Sequence, residues 1–366
     1  MYSTHEAKLC VAHYYITQKE TSVLTSSHQK EEALVENCIG IDISKASLNI
    51  HIGKSGQDLQ IENSLKGFKS LRSKLKKIYK KEIENIIYTF EPTGSYSEAL
   101  RKYCYQQKIQ CFIINPKQFN NYAKAIGKEV KNDIEDARTL CKSIVVAKEG
   151  QIAIPSYNED VERIKELMGY YKFLTKQTTQ QRNHLEALQS KGADAFTIKE
   201  LQKAIKESKK KEQRMIEKIQ SIIDSNEHYK NSYDNIISIM GIGQIGAIVL
   251  LHLFLKYPDA NQRQITSLAG LNPIYKQSGS SLQSRYKISK SGSKLYRGSL
   301  FMATMSAIRY DEKCKAFYER LKANGKHTTQ AQIAVMRKLI ITAHSLYKNN
   351  TKYDKNHCHQ QELFVA

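Results

Sequence analysis

Two aspartates three residues apart, Asp133 and Asp136 in the run Asn132-Asp133-Ile134-Glu135-Asp136-Ala137-Arg138, are where a chemical reading of this chain begins. The run reads as a helix start, and residues i and i+3 share a helix face, so the two carboxylates project side by side. Aligned carboxylates repel unless a cation lies between them, and magnesium, held by carboxylates and phosphate oxygens, is the usual one. Two more acids lie upstream. Asp42 follows the apolar run Cys38-Ile39-Gly40-Ile41, and Glu91 follows Ile86-Ile87-Tyr88-Thr89-Phe90, so each is expected at the tip of a buried strand. Phosphodiester cleavage by two metal ions needs such a set, with carboxylates holding cations roughly 3.5–4 Å apart to favour the attacking and leaving oxygens. Each acid alone has a plainer role: Asp42 could cap the turn before Ser44-Lys45, Asp133 could be an N-cap, and Glu91 before Pro92 could be an ordinary loop residue.

The elements that must carry these acids follow from patterning. Residues 1–36 are polar with short apolar patches and read as a disordered extension. Ile39 to Ile43, Leu48 to Ile52 and Leu59 to Ile61 then read as an antiparallel three-strand meander. Leu65, Phe68, Leu71, Leu75 and Ile78 recur at helical spacing with Lys66, Lys69, Lys76, Lys77 and Lys80 on other faces, an amphipathic helix with a basic outside. A strand Ile86 to Phe90, a helix from about Ser97 to Gln107, a strand Gln110 to Ile114 and helices around Asp133 and Asp136 complete a mixed sheet flanked by helices over 37–150.

Bulk properties narrow the substrate. The chain of 366 residues has room for two or three domains, and its net charge of +21 with pI near 9.5 points to a polyanionic partner, nucleic acid first and small phosphates second. The longest apolar run, Ile245 to Leu255, is interrupted by His252 and too short to span a bilayer, so no membrane partner is expected. Seven cysteines without a C-x-x-C pair, and no secretory leader pattern, point to free thiols in the cytoplasm.

From 155 to 230 the pattern is helical: Ile164, Leu167, Tyr171, Leu174, Thr178, Leu185 and Leu188, then Leu201, Ile205, Ile216, Ile219 and Ile223, with a turn at Lys191 to Asp194. This predicts a helical hairpin or coiled coil, either a dimerisation arm or an intramolecular spacer. Gly241-Ile242-Gly243-Gln244-Ile245-Gly246 matches a dinucleotide-binding G-x-G-x-x-G formally but lacks the strand and the acid that motif requires. A helix-hairpin-helix, whose backbone N–H groups hold DNA phosphate, fits better, and a purely structural glycine turn is the alternative. Ser278 beside Gly279, with Arg285, Lys287, Lys290 and Arg297 following, suits a nucleophile attacking phosphate among cations; taken alone it is a loop. Beyond Leu295 helices continue, with Phe317, Leu321, Ile333, Leu339, Ile340, Ala343 and Leu346 as core; 349–366 read as a tail in which His357-Cys358-His359 has no distant partners to build a metal site.

Together the motifs Gly40-Ile41-Asp42-Ile43-Ser44-Lys45, Glu91-Pro92-Thr93-Gly94, Asn115-Pro116-Lys117-Gln118, Lys131-Asn132-Asp133 with Asp136-Ala137, Gly241 to Gly246, Ala269-Gly270-Leu271-Asn272-Pro273, Ser278-Gly279 and Ile288-Ser289-Lys290-Ser291-Gly292 are specific in number and order. Over about Cys38 to Asn349 the chain resembles the insertion-sequence 110/1111 family of DEDD transposases, which also looks like the Piv-type DNA invertases. The resemblance implies an α/β plus α protein: a ribonuclease H-like (RuvC-like) DEDD domain over 37–150, the helical coiled-coil hairpin over 155–230, and a mainly helical C-terminal transposase domain over 231–348 bearing the helix-hairpin-helix and a serine. By motif match Asp42, Glu91, Asp133 and Asp136 take the metal (Mg2+) places and Ser278 the nucleophile's, with Ser280 a lesser candidate. Gly241, Gly243, Gly246, Arg285, Lys287, Lys290 and Arg297 are expected to bind nucleic acid. The implied partners are donor and target DNA, a structured guide RNA and further copies of the chain in a dimer or tetramer, in a bacterial cytoplasm at the nucleoid. The competing readings are a metal-only RuvC-like nuclease or Holliday-junction resolvase, and a nucleic-acid-binding protein without catalysis.

Overall fold

The computed structural model describes residues 29–127, 132–148, 150–274, 277–278, 282–283 and 287–354, the backbone alone at 277–278 and 282–283. The chain divides into two compact units, Met1–Tyr157 and Asn158–Ala366.

In the first unit, period-two alternation makes a sheet with two buried faces. The strands are β1 (Cys38–Ile43), β2 (Ser47–Ile52), β3 (Gln57–Glu62), β4 (Ile87–Phe90), β5 (Gln110–Ile113) and β6 (Ile152–Ala153), ordered β3-β2-β1-β4-β5-β6. β1, β2 and β3 form the antiparallel meander, while β1 pairs parallel with β4 and β4 with β5. Ile39, Ile41 and Ile43 of β1 and Leu48, Ile50 and Ile52 of β2 face α2 (Leu65–Tyr79) and α3 (Glu98–Gln106), packing on Phe68, Leu71, Leu75 and Leu100. The side chains between them point the other way: Cys38, Ile87, Phe112 and Ile114 meet Phe119 of α4 (Pro116–Ala125) and Leu140 and Cys141 of α5 (Asp133–Lys142).

One expectation is corrected here. Residues 29–36, read as part of the extension, form a helix, α1. Its Leu34 and Val35 pack onto the α5-side cluster. That burial offsets the ordering cost of an otherwise polar segment. The extension's remainder, 1–28, lies outside the described residues, as do 355–366 with His357, Cys358 and His359.

The second unit is helical. α6 (Glu159–Ser190) and α7 (Ala195–Asp224) lie along each other, joined at 191–194. Leu174, Thr178, Leu188 and Ser208 are buried along their length, and Ser208 donates a hydrogen bond to Gln181 at 3.3 Å. At the base Ile164, Met168, Ile219, Ile222 and Ile223 merge into one core with α8 (Glu227–Ile237) and α9 (Gln244–Lys256). α9 is buried from Ala247 through Phe254 because it is apolar on every face, as a central helix must be. α10 (Gln262–Leu268), α11 (Lys294–Tyr310), α12 (Glu312–Ala323) and α13 (Thr328–Asn349) surround it, with Phe317, Leu339, Ile340, Ala343 and Leu346 in the core. Between α10 and α11 run short strands: β7 (Pro273–Ile274) pairs with β10 (Lys287–Ile288), and β8 (Gln277–Ser278) with β9 (Leu282–Gln283). Among the described residues no helix is long and apolar enough to cross a membrane.

Candidate active site

β1 is the strand that builds the site. Its residues facing α5 are Cys38, Gly40 and Asp42, the positions between the buried isoleucines. Gly40 has a definite reason to be glycine: a Cβ there would lie 2.0 Å from the Ala137 carbonyl oxygen and 2.6 Å from the Cys141 nitrogen. The helix backbone therefore rests directly on the strand, which brings Asp136 down toward Asp42. Glu91 arrives from the other side. β1 and β4 pair Gly40 with Thr89 and Ile41 with Phe90, and one further step of that register sets Asp42 beside Glu91.

The carboxylates sense one another. Glu91 is half-buried, and burial first, then the charges of Asp42 and Asp136, push its carboxyl above the usual range. Asp133, the first residue of α5, is exposed and is not among the groups acting on Glu91. Nor does it cap the helix: the Asn132 side chain accepts from the Ile134 N–H at 3.1 Å, leaving Asp133 free of that duty. Among the described residues no three His, Cys, Asp or Glu side chains are gathered closely enough to form a ready ligand set. The structure thus brings Asp42 and Asp136 each into electrostatic range of Glu91 and places Asp133 three residues before Asp136 on the same helix. All four are hard oxygen donors, the chemistry that suits magnesium or a similar divalent cation.

A second layer, which the sequence reading passed over, fixes α5 in place. Arg138 donates from Nε to both oxygens of Asp58 on β3, at 3.3 and 3.1 Å, with a further bond from Nη2. His51 on β2 lies 2.7 Å from the same carboxylate through Nδ1. The Arg138 bonds and, to a lesser degree, His51 hold the Asp58 carboxyl below its ordinary range. Arg138 stands two residues beyond Asp136, so this fork sets the rotation of α5 that presents Asp136 to the other acids. The only sequence signal was an arginine inside the Asp133 motif.

In the second unit the glycine motif lies between α8 and α9. Gly241 has φ of +93°, and a Cβ on it would meet the Ala307 nitrogen at 2.6 Å, so it lets α11 pass close by. Gly243 is the N-cap of α9, and a Cβ on it would meet nothing; Gly246 lies within the first turn, against Ile242. Arg297 is committed to structure: its Nη1 donates to the carbonyls of Ala269 at 3.1 Å and Gly292 at 2.7 Å, tying the Ala269-to-Pro273 segment to the Ile288-to-Gly292 segment. Lys287 and Lys290 are exposed. Ser278 lies on β8, its backbone paired with Leu282. Its side chain, Gly279, Ser280 and Arg285 lie outside what is described.

Comparison with known families decides the identity of this arrangement. A DEDD transposase profile of the IS110 type matches residues 39–192, and a profile described as transposase of the IS116/IS110/IS902 family matches residues 233–319. The chain belongs to the IS110 family of transposases. The first match takes in Asp42, Glu91, Asp133 and Asp136, and the second the glycine turn, Ser278, Lys290 and Arg297. Among curated relatives of this IS110 transposase, the pilin gene-inverting protein of Moraxella bovis is 27% identical over 327 residues, covering 87% of this chain and 97% of that protein. Its counterpart in Moraxella lacunata matches over the same extent. An uncharacterised 43.6 kDa protein of insertion element IS110 from Streptomyces coelicolor is 28% identical over 120 residues, 32% of this chain and 29% of that protein. Family membership makes the chain an enzyme of DNA transposition and recombination, one that cuts and rejoins DNA.

Proposed function

We propose that this transposase cuts DNA at a RuvC-like site formed by Asp42, Glu91, Asp133 and Asp136, and rejoins it through a covalent link to Ser278. The observation that carries the reading is the approach of Asp42 on β1 and Asp136 on α5 to the half-buried Glu91 at the end of β4, whose carboxyl is raised first by burial and then by those two charges. Such a gathering of like charge costs stability unless it serves a ligand of opposite sign. A divalent cation, magnesium by the hardness of the donor set, supplies electrophilic stabilisation of the phosphate there. The protein's own part is to hold the acids: Gly40 lets α5 approach, and Asp58 with Arg138 fixes its rotation. In the cutting step the Ser278 hydroxyl gives up its proton to solvent as its oxygen bonds to the scissile phosphorus, and the departing deoxyribose oxygen takes up a proton as its bond to phosphorus breaks. In the rejoining step a deoxyribose hydroxyl loses its proton and attacks the phosphoserine, and the serine oxygen leaves and is reprotonated, so the phosphodiester energy is kept throughout.

The handling of nucleic acid rests on charge. Lys66, Lys69, Lys76, Lys77 and Lys80 are exposed around α2, and none forms an ion pair among the described residues. These lysines, with Lys287 and Lys290, suit the phosphates of donor and target DNA and of a guide RNA whose base pairing supplies sequence specificity. The α8–α9 turn around Gly241, Gly243 and Gly246 offers backbone N–H groups to a phosphate in the manner of a helix-hairpin-helix. The competing reading, a metal-only nuclease or junction resolvase, draws on the acids' all belonging to the first unit.

One experiment separates the two. Protein, magnesium, RNA transcribed from the gene's flanks and labelled junction DNA are incubated and run on a denaturing gel beside Ser278→Ala. A labelled protein band that the variant lacks is the expected result. Cleaved DNA without adduct in either lane would establish the metal-only nuclease instead.

A further inference from the structure

Between the β7–β10 ribbon and the start of α13 lies a cleft of about 580 Å³, in the size range that a small molecule or a single nucleotide fills. Its floor is aliphatic, made by Leu271, Ile288, Leu321, Ile333 and Ala334. Its rim is cationic, made by Lys287, Lys290, Lys326 and Arg337, and among the described residues no aspartate or glutamate lines it. Among the described residues the buried Arg337 Nε has no hydrogen-bond partner, so nothing there neutralises this cation of the cleft wall. The neighbourhood is electropositive: burial, Arg320 and Arg337 hold the Lys338 ammonium below its usual range.

An apolar slot under a ring of cations selects among anionic ligands. Paired duplex DNA keeps its base faces stacked and offers such a slot nothing to bury, whereas an unpaired nucleotide brings a planar apolar face and a phosphate together. Enzymes that cut and rejoin strands unpair nucleotides when a cleaved strand is exchanged between duplexes, and β7 and β10 bracket in sequence the strand that carries Ser278. We propose that this cleft holds one unpaired DNA nucleotide of the cleaved strand, its base on the aliphatic floor and its phosphate on the lysine and arginine rim; the assignment rests on the DNA-processing reading above.

The test is equilibrium binding of the full-length protein, by fluorescence anisotropy, to a labelled duplex that is either blunt or ends in a single unpaired 2-aminopurine nucleotide. The overhang should bind about fivefold tighter, from the apolar area that one base face buries on the aliphatic floor. Ala334→Phe, which fills the floor, should bring the ratio to one. So should Thr329→Glu, an exposed position in the first turn of α13, where a carboxylate suits the helix and cannot disturb the core. Equal binding of blunt and overhanging duplex by the native protein would overturn the assignment alone, as would an unchanged ratio in both folded variants or stronger binding of a ribonucleotide overhang. Failure to bind any duplex would overturn this assignment and the DNA-processing reading together.

Discussion

At the scale of single residues the candidate site is a problem of like charges, and each acid can be judged by what removing its charge does. Burial first, and then the charges of Asp42 and Asp136, disfavours the Glu91 carboxylate, so Asp42→Asn should leave the metal-free protein at least as stable while lowering DNA cleavage by about 100- to 1,000-fold. A variant that melts lower and still cleaves would mark Asp42 as structural. Asp58 behaves in the opposite sense. Its carboxyl is held below the ordinary range, so in acid the unfolded chain takes up the proton first. The stability it contributes is complete above the ordinary aspartate range and is lost as pH falls through and below that range. Asp58→Asn should therefore flatten the acid limb of a melting-temperature profile, and an unaltered limb would show that the pair with Arg138 is idle. Arg138→Gln should cost roughly 10- to 100-fold in activity, as loss of a group that orients a ligand does. The strand-end places of Asp42 and Glu91 and the helix start at Asp133 were legible in the sequence, because apolar runs that stop at a carboxylate and an Asn before a helical stripe show in residue type. The Asp58–Arg138 fork was not, since its partners stand 80 residues apart and only the packing of α5 over the sheet joins them. Arg297 carried the reverse lesson: an arginine in a basic motif reads as a phosphate contact, yet here its Nη1 serves two backbone carbonyls.

At the scale of elements, the decisive fact is how closely α5 lies on β1. Alternation along the strands and the 3.6-residue stripe of α2 make the sheet and its covering helices readable in the sequence. Periodicity reports which face is buried and not how near the neighbour comes. Gly40 is therefore the most informative position for the element. Adding one methyl group there sets a carbon 2.0 Å from the Ala137 carbonyl, a contact that only movement of the helix can relieve. Gly40→Ala should destabilise the protein by about 1–3 kcal/mol and lift Asp136 away from Asp42. Loss of activity beyond the loss of folded protein, measured by cleavage per molecule that remains native by circular dichroism, is the expected outcome. Full activity at unchanged melting temperature would mean that α5 does not need this contact. The helix at 29–36 escaped the sequence reading for a related reason, because its few apolar residues, Leu34 and Val35, acquire meaning only from the cluster they cover.

At the scale of the whole molecule, a net charge of +21 opposes self-association at low ionic strength, and the expected dimer or tetramer must overcome it. Apolar surface that could overcome the repulsion lies on the long helices of the second unit. On α6 the rings of Tyr170 and Phe173 stack with centroids 6.2 Å apart while 47% and 54% exposed, and on α7 Phe196 is 71% exposed. The interior seam of the two helices carries polar Thr178 and Ser208 beside Leu174 and Leu188, and the exposed rings are the apolar surface a second copy would bury. Light scattering in moderate salt, which screens the repulsion, should report a dimer or tetramer for the native chain and a lower mass for the double variant Tyr170→Ser, Phe173→Ser. Because both side chains are exposed in one copy, the variant should melt no earlier than the native protein at concentrations where both are monomeric. A native chain that remains monomeric in light scattering even when bound to junction DNA would show instead that the helix pair is a spacer within one chain, and would leave each DNA site to be processed by a single copy.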